Sequence, residues 1–410
     1  MNKGLEVARG KTKVLYEQQD QPDVLVVTQT DNISAGDGAR RNTISGKGRL
    51  AAKTTARVFR LLNLCGLPTH YLSGGEDDDD NEMLVRRCDM IPLEVVVRGV
   101  AAGSLVRRKP GIVRGSIIVP RMVEFFFKDD ANHDPLIEPD EIVRRGIATP
   151  QEIGVMSEIA RITFEILAHA WRRHQTLLVD LKIEFGRLVD AEGRGNLVIA
   201  DVIDNDSWRI WPQGREELML DKQMYRNLAE VRQEDLDRVY GAYEQVAELV
   251  GMFPVMRPGM VAIVLEGPEH AAQAEAITAA LRPYGLPAMR RIASARLTPS
   301  YVLQVIQQLD ATFARVVFVT AEGNSSRLAE LIDDATTTPV LRFADASVQA
   351  ESAAQLTAQR VALAAAKTFA VDDTVLFGRV LLVQANARSA IVAADAQLSA
   401  PPPPPNGTVA

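Results

Sequence analysis

Apolar and polar positions follow two different rhythms along the chain. Up to about residue 250, strand-like runs such as Asp23-Val-Leu-Val-Val-Thr28 and Asn196-Leu-Val-Ile-Ala200 mix with segments of helical period, Ser157 to Trp171 and Gln233 to Val250. That mixture predicts an α+β domain over residues 1–252. The following Gly251-Met-Phe-Pro-Val-Met-Arg-Pro-Gly259 concentrates Pro and Gly where a helix must stop and a new unit can begin. From Met260 the rhythm changes. Strands at Val261–Leu265, Ala288–Ala293 and Arg315–Thr320 alternate with helices at about Glu269–Leu281 and after Pro299. Alternation of this kind implies right-handed crossovers, so residues 259–395 are expected to form an α/β domain of three layers around a parallel sheet. Residues 396–410 contain Pro401 to Pro405 and read as a disordered or polyproline extension.

Composition narrows the class. The 410 residues are 47% hydrophobic and 24% charged, which is globular. A formal charge of -7 argues against nucleic acid as the main partner, because duplex binders carry a basic face. Met1 to Tyr16 is polar where a signal peptide needs an apolar core, and no run of about 18 uninterrupted apolar residues occurs. A cytoplasmic protein with no membrane partner is expected. Cys65 and Cys88 are too few for a disulfide framework or a thiolate metal site, and both read as small buried residues. The acidic run Asp77 to Asp80 reads as a solvated loop, since adjacent carboxylates alone do not converge on a cation.

Several segments carry chemistry. In Arg9-Gly-Lys-Thr-Lys-Val-Leu-Tyr16, Lys11 and Lys13 fall on one face of a strand-like segment beside a glycine, either as a lid over a polyphosphate or as an ordinary basic hairpin. Asp31-Asn-Ile-Ser-Ala-Gly-Asp-Gly38 collects carboxylates, a hydroxyl and turn residues, and a plain turn explains it as well. In Val95 to Arg108, an apolar strand ends in Arg98, and a Gly-Ser turn leads to Arg107 and Arg108. Clustered arginines without neighbouring acids suggest a ligand anion, the alternative being a solvated charge cluster. In Asp180-Leu-Lys-Ile-Glu-Phe-Gly186, Lys182 and Glu184 share one strand face while Leu181, Ile183 and Phe185 point the other way. If that strand pairs with the one ending at Asp201, Glu184 and Asp201 can converge on one Mg²⁺; otherwise they are surface acids paired with nearby cations.

Taken in order, Gly10–Lys13, Ser34–Gly38, Met90–Arg98, Ala102–Leu105, Phe127–Pro135, Asp180–Gly186 and Asp201–Trp211 resemble SAICAR synthetase, over essentially residues 3 to 250. The resemblance implies an ATP-grasp-like fold and a ligase of purine biosynthesis. Such an enzyme uses ATP and Mg²⁺ to join the carboxylate of carboxyaminoimidazole ribonucleotide (CAIR) to L-aspartate. By the same resemblance, Lys11 and Lys13 contact ATP phosphates, Glu184 and Asp201 serve the metal and nucleotide, and Lys182 lies beside the transferred phosphoryl group. Arg98, Ser104, Asp206 and Arg209 correspond to the CAIR-binding set, and Ser34, Asp37, Lys128 and Asp130 to loop residues around imidazole and aspartate. His133 reads as a structural loop histidine, and Trp208 and Trp211 as packing residues.

The second domain resembles the carboxylase half that animals fuse to this synthetase, which makes CAIR from aminoimidazole ribonucleotide (AIR) and CO₂. The likeness rests on the strand and helix order and on Ile292-Ala-Ser-Ala-Arg-Leu-Thr-Pro299. In that segment Ser294 is kept, and Arg296 stands where the carboxylases have a histidine. Arginine stays protonated near neutrality and is a poor acid and base. The expectation is a degenerate domain serving assembly, with an octamer implied by the resemblance; the alternative is a working carboxylase in which His270 substitutes.

Overall fold

The computed structural model describes residues 2–36, 38–189, 195–323, 325–344 and 351–398, so Asp37 and the Pro401–Pro405 segment lie outside it. The chain divides into two compact units, Met1–Met256 and Arg257–Ala410.

The first unit opens with β1 (Lys3–Arg9), β2 (Lys13–Gln18) and β3 (Gln21–Gln29), then a small hairpin of β4 (Asn32–Ala35) and β5 (Arg40–Thr43). Helix α1 (Lys47–Cys65) leads to β6 (Tyr71–Gly74) and β7 (Glu82–Arg86). Strands β1, β2, β3, β7 and β6, in that order, make an antiparallel sheet. Continuous apolar residues Val24 to Val27 are buried in β3, with α1 packed against it. Asp31 accepts a 2.9 Å hydrogen bond from the Gly48 backbone N–H and thereby satisfies the exposed start of α1.

The second sheet follows. It is built from β8 (Asp89–Val100), helix α2 (Gly103–Arg108), β9 (Ile117–Phe127), β10 (Leu136–Ile137), helices α3 (Pro139–Arg144) and α4 (Pro150–Arg172), β11 (Thr176–Val189), β12 (Gly195–Ala200) and β13 (Trp208–Pro212). The order is β10-β9-β8-β11-β12, and β13 pairs the first half of β11 on the edge that β12 occupies further along. Leu181, Ile183 and Phe185 of β11 are fully buried on the face towards α4. That face fixes the register of β11, because a slip of one residue would exchange its apolar and polar sets. Helices α5 (Gln223–Arg226) and α6 (Gln233–Gly251) complete the unit. Tyr225, Leu236, Val239 and Tyr243 pack with Ile33 and Ile44, which anchors the β4–β5 hairpin from beneath.

In the second unit β14 (Met260–Leu265), α7 (Ala271–Leu281), β15 (Ala288–Ile292), α8 (Pro299–Thr312), β16 (Val316–Glu322), α9 (Leu328–Asp333) and β17 (Val340–Ala344) form a parallel sheet of order β15-β14-β16-β17. Alternate residues of β14 feed opposite cores. Val261, Ile263 and Leu265 face α7, α10 (Glu351–Ala370) and α11 (Thr374–Leu398), while Ala262 and Val264 face α8 and α9. This is the three-layer α/β arrangement its rhythm predicts. Within α11, Thr374–Asp395 is the one helical segment among the described residues long and apolar enough to cross a bilayer; its first turns place Leu376 and Val380 in the core.

Helix α4 supports the strand that organises the first unit, and its start is closed by a reciprocal pair. The Thr149 hydroxyl accepts from the Glu152 N–H at 3.2 Å, and Glu152 accepts from the Thr149 N–H at 2.8 Å. Thr149→Ala should therefore destabilise the first unit by about 1 kcal/mol. Trp171, Trp208 and Trp211 all lie buried in that unit, so tryptophan fluorescence in a denaturant titration reads this transition alone, and an unchanged midpoint would contradict the assignment.

Candidate functional site

The polar face of β11 presents Asp180, Lys182 and Glu184 in succession, and the neighbouring strands supply opposite charges in register at Asp180. Asp180 lies directly between Arg98 on β8 and Arg209 on β13. Its Oδ2 accepts from both guanidiniums, at 3.4 Å from Arg98. Arg98 is 3% exposed and also donates to Glu124 of β9 at 2.5 Å and to the Ser104 hydroxyl at 3.2 Å. Arg108, on the last turn of α2, donates to the other oxygen of Glu124. The result is an alternating row in which the three guanidiniums of Arg209, Arg98 and Arg108 meet the two carboxylates of Asp180 and Glu124. One positive charge is left over, at the wall of a cavity. Burial alone would raise the pKa of Glu124, but Arg98 and Arg108 outweigh it and hold the group below its usual value.

A second cluster sits one turn of the pleat further on. Lys182 donates to Glu94 at 2.9 Å and to Glu184 Oε1 at 3.0 Å, while Lys128 reaches Glu184 Oε2 at 2.6 Å. Lys13, at the start of β2, pairs with Asp201, the residue after β12. Burial would raise the Glu184 pKa, yet the three ammonium groups of Lys182, Lys128 and Lys13 lower it to about 2. Burial lowers the Lys13 pKa to about 8, against the attraction of Glu184 and helped by Lys182 and Lys128. Asp201 adopts a left-handed backbone, φ 67°, which L-residues avoid. His70 Nε2 donates to its carbonyl at 3.1 Å, while the His70 backbone N–H donates to the Ile199 carbonyl at 2.9 Å. Burial first, then Lys13 and Arg86, depress the His70 pKa to about 3, so the imidazole is neutral.

Between these clusters lies a cavity of about 440 Å³ lined by Glu94, Arg98, Ser104, His133, Lys182, Asp206, Trp208 and Arg209, among others. A neighbouring cavity of about 800 Å³ shares Arg209 and Arg226 with it and adds Arg40, Arg107 and Arg114. The larger of the two, with five arginines and the single acid Glu216 on its wall, suits a small polyanion. Asp206 stands on the wall of the first cavity. Burial would raise its pKa, but Lys222 and Lys47, with hydrogen bonds from Lys222 and Tyr243, hold it well below the usual carboxylate range.

The SAICAR synthetase family pattern matches residues 6–242, more than half of the chain. The chain belongs to the SAICAR synthetase family. A phosphoribosylaminoimidazole-succinocarboxamide synthase of Roseiflexus sp. (strain RS-1) is 50% identical over 248 residues, 60% of this chain and 97% of that protein. A bifunctional phosphoribosylaminoimidazole carboxylase/phosphoribosylaminoimidazole succinocarboxamide synthetase of Drosophila melanogaster is 36% identical over 344 residues, 82% of this chain and 79% of its own length. Similarity to this fusion therefore runs beyond the synthetase pattern into the second unit. A solved SAICAR synthetase in complex with ADP has a TM-score of 0.52 and 34% identity, covering 61% of this chain and all of that one.

Around these cavities, the expected residues separate. Arg98, Ser104, Lys182, Asp206 and Arg209 line one cavity. Lys13, Lys128, Glu184 and Asp201 form the adjoining charge cluster. The pairing of Glu184 with Ala200 places Asp201 one residue along, but each carboxylate is engaged by lysine, and no group of three or more potential metal ligands occurs among the described residues. Lys11 is not on a strand face with Lys13. It sits exposed in the bend between β1 and β2, because the hairpin turns at Gly10 and the second strand starts only at Lys13. Of the arginines expected to lack neighbouring acids, Arg98 meets Glu124 and Asp180 and Arg108 meets Glu124, all from strands distant in sequence, and the Gly-Ser turn is the start of helix α2. Ser34 is buried in the β4–β5 hairpin and Asp130 opens a short 3-10 turn, Asp130–Asn132. His133, expected as a structural residue, lines the cavity. Sequence reasoning missed Asp180 as a partner, although it shares the alternation of Lys182 and Glu184. It missed Glu94, Glu124, His70, Lys47 and Tyr243 because nothing local marks a cross-strand or cross-helix partner.

In the second unit the Glu266 carboxylate accepts hydrogen bonds from the Ser294 hydroxyl at 2.5 Å, the Ala295 N–H at 3.1 Å and the Ser326 hydroxyl at 3.0 Å. Arg296 is exposed, and His270 Nδ1 pairs with Gln273 at 2.7 Å.

Two measurements check the site's framework. Gly103 has φ 55°, and a Cβ there would stand 2.6 Å from the Arg209 guanidinium, so Gly103→Ala should cost at least about 1 kcal/mol and shift Arg209. Asp221 accepts from the Ile210 and Gln223 N–H groups, and burial raises its pKa to about 6. The folded state then binds more protons than the unfolded one between about pH 4 and 6, so this group's contribution to stability falls as pH rises through that window and is level above it. Asp221→Asn should gain on the wild type over the same window, and a pH-independent difference in unfolding midpoint would refute this.

Proposed function

We propose that the first unit catalyses the SAICAR synthetase reaction, joining the CAIR carboxylate to the amine of L-aspartate while ATP becomes ADP and phosphate. The observation that supports it most is the placing of the Lys13, Lys128 and Lys182 ammonium groups around Glu184, beside a guanidinium row with surplus positive charge. A carboxylate is a poor electrophile. One of its oxygens attacks the γ-phosphorus, ADP leaves, and the acyl phosphate formed now carries a leaving group; the aspartate amine attacks the acyl carbon, phosphate departs and the amine loses its proton. What a protein supplies to such steps is alignment and neutralisation of phosphate charge. The position of Lys182 between Glu94 and Glu184 at the cavity wall supports its reading as the group beside the transferred phosphoryl.

In this reading Lys11 and Lys13 meet ATP phosphates, and Arg98, Ser104, Asp206 and Arg209 hold CAIR. Ser34, Asp37 and Asp130 border the imidazole and aspartate, while the contact of Lys128 with Glu184 moves that lysine towards the phosphates. Glu184 and Asp201 offer hard oxygen donors at adjacent register, which fits Mg²⁺, an ion usually bound through one or two carboxylates plus phosphate oxygens. When bound, the ion would add charge neutralisation on the phosphate oxygens.

The second unit is read as an AIR carboxylase-like domain that has lost its reaction and serves assembly, in an octamer within the cytoplasm. Exposure of Arg296 and the closure of the neighbouring loops on Glu266 support the loss, and exposed Ile391 and Val392 of α11 support assembly.

Two assays on the full-length chain test this. SAICAR should form from CAIR, aspartate and ATP, and no CAIR should form from AIR and bicarbonate; absence of SAICAR at saturating Mg²⁺ would overturn the main reading. Lys182→Met should lower kcat by about a hundredfold or more, with folding verified by tryptophan fluorescence.

A further inference from the structure

Asp206 reaches the cavity from the loop between β12 and β13, a segment with no regular structure of its own to aim it. Its carboxylate is nevertheless held at both oxygens. The Tyr243 hydroxyl, on α6, donates to Oδ1 at 2.5 Å, and Lys222 Nζ, just before α5, donates to Oδ2 at 2.5 Å. The Asp206 N–H is fixed in turn by Asp204 Oδ1 at 2.8 Å. Behind the tyrosine lies Lys47, 1% exposed at the start of α1, with its ammonium group 5.0 Å from the Tyr243 ring centroid. Lysine is rarely buried this completely without a purpose for its charge. Here it faces the tyrosine ring and offsets the paired carboxylates of Asp204 and Asp206.

We propose that Tyr243 and Lys222 are positioning residues for substrate binding: they hold Asp206 ionised and pointed into the cavity. This rests on the reading of Asp206 as a CAIR contact. An ionised carboxylate only accepts hydrogen bonds, and it retains lone pairs after accepting one bond at each oxygen. Asp206 is thereby kept ready for donor groups of the ribonucleotide. Neither positioning residue lines the cavity, so both act through Asp206.

The test uses the full-length chain with Tyr243→Phe, Lys222→Met, Asp206→Asn and the double variant Tyr243→Phe/Asp206→Asn. Loss of the hydroxyl should raise KM for CAIR about tenfold while leaving kcat and the KM values for ATP and aspartate unchanged. Lys222→Met should do the same. In the Asp206→Asn background, Tyr243→Phe should add nothing. A parallel rise in KM for ATP, or effects of Tyr243→Phe and Asp206→Asn that multiply independently, would overturn the positioning role. Should Asp206→Asn leave KM for CAIR unchanged, the reading of Asp206 as a contact fails instead. Denaturant unfolding of the same four proteins keeps the two failures apart, since it reports whether the two substitutions are coupled through the contact whatever CAIR does.

Discussion

Strand β11 has two faces that cannot be exchanged, and most of the first unit follows from that. Leu181, Ile183 and Phe185 are sealed under α4, so Asp180, Lys182 and Glu184 must point the other way. Because β8, β12 and β13 flank the strand, what stands opposite each charge is set at a fixed height: Arg98 and Arg209 at Asp180, Val96 at Lys182, Glu94 and Ala200 at Glu184. The hydrophobic effect thus sets an electrostatic pattern. Carboxylates and cations alternate closely enough that burial, which by itself would neutralise Glu184 and Glu124, is overcome by their neighbours.

The same arrangement explains how a net acidic chain can present a strongly cationic cleft. Five guanidinium groups and one carboxylate line the larger cavity, while the smaller one carries both signs. The guanidinium groups of the interior row are held in place by the carboxylates they meet.

Much of this was legible in the chain. The alternation in Asp180 to Gly186 placed Lys182 and Glu184 on one face, and the change of rhythm at Met260 anticipated the parallel sheet. What stayed hidden was pairing across distance. Arg98 looks unpartnered because Glu124 and Asp180 are far along the chain, and Tyr243 looks like an ordinary core residue of α6 until Asp206 is seen beside it. Local pattern reports which way a side chain points; it does not report what stands opposite. Lys11 shows the reverse error, a strand face assumed through a turn that the backbone closes at Gly10.

Glu266 carries a different lesson. Donors from two loops of the second unit converge on this internal carboxylate, as loops ordinarily converge on a bound anion. A tethered anion has an effective concentration that dilution never lowers. At that place three donors are thus satisfied from within the chain, without an outside anion.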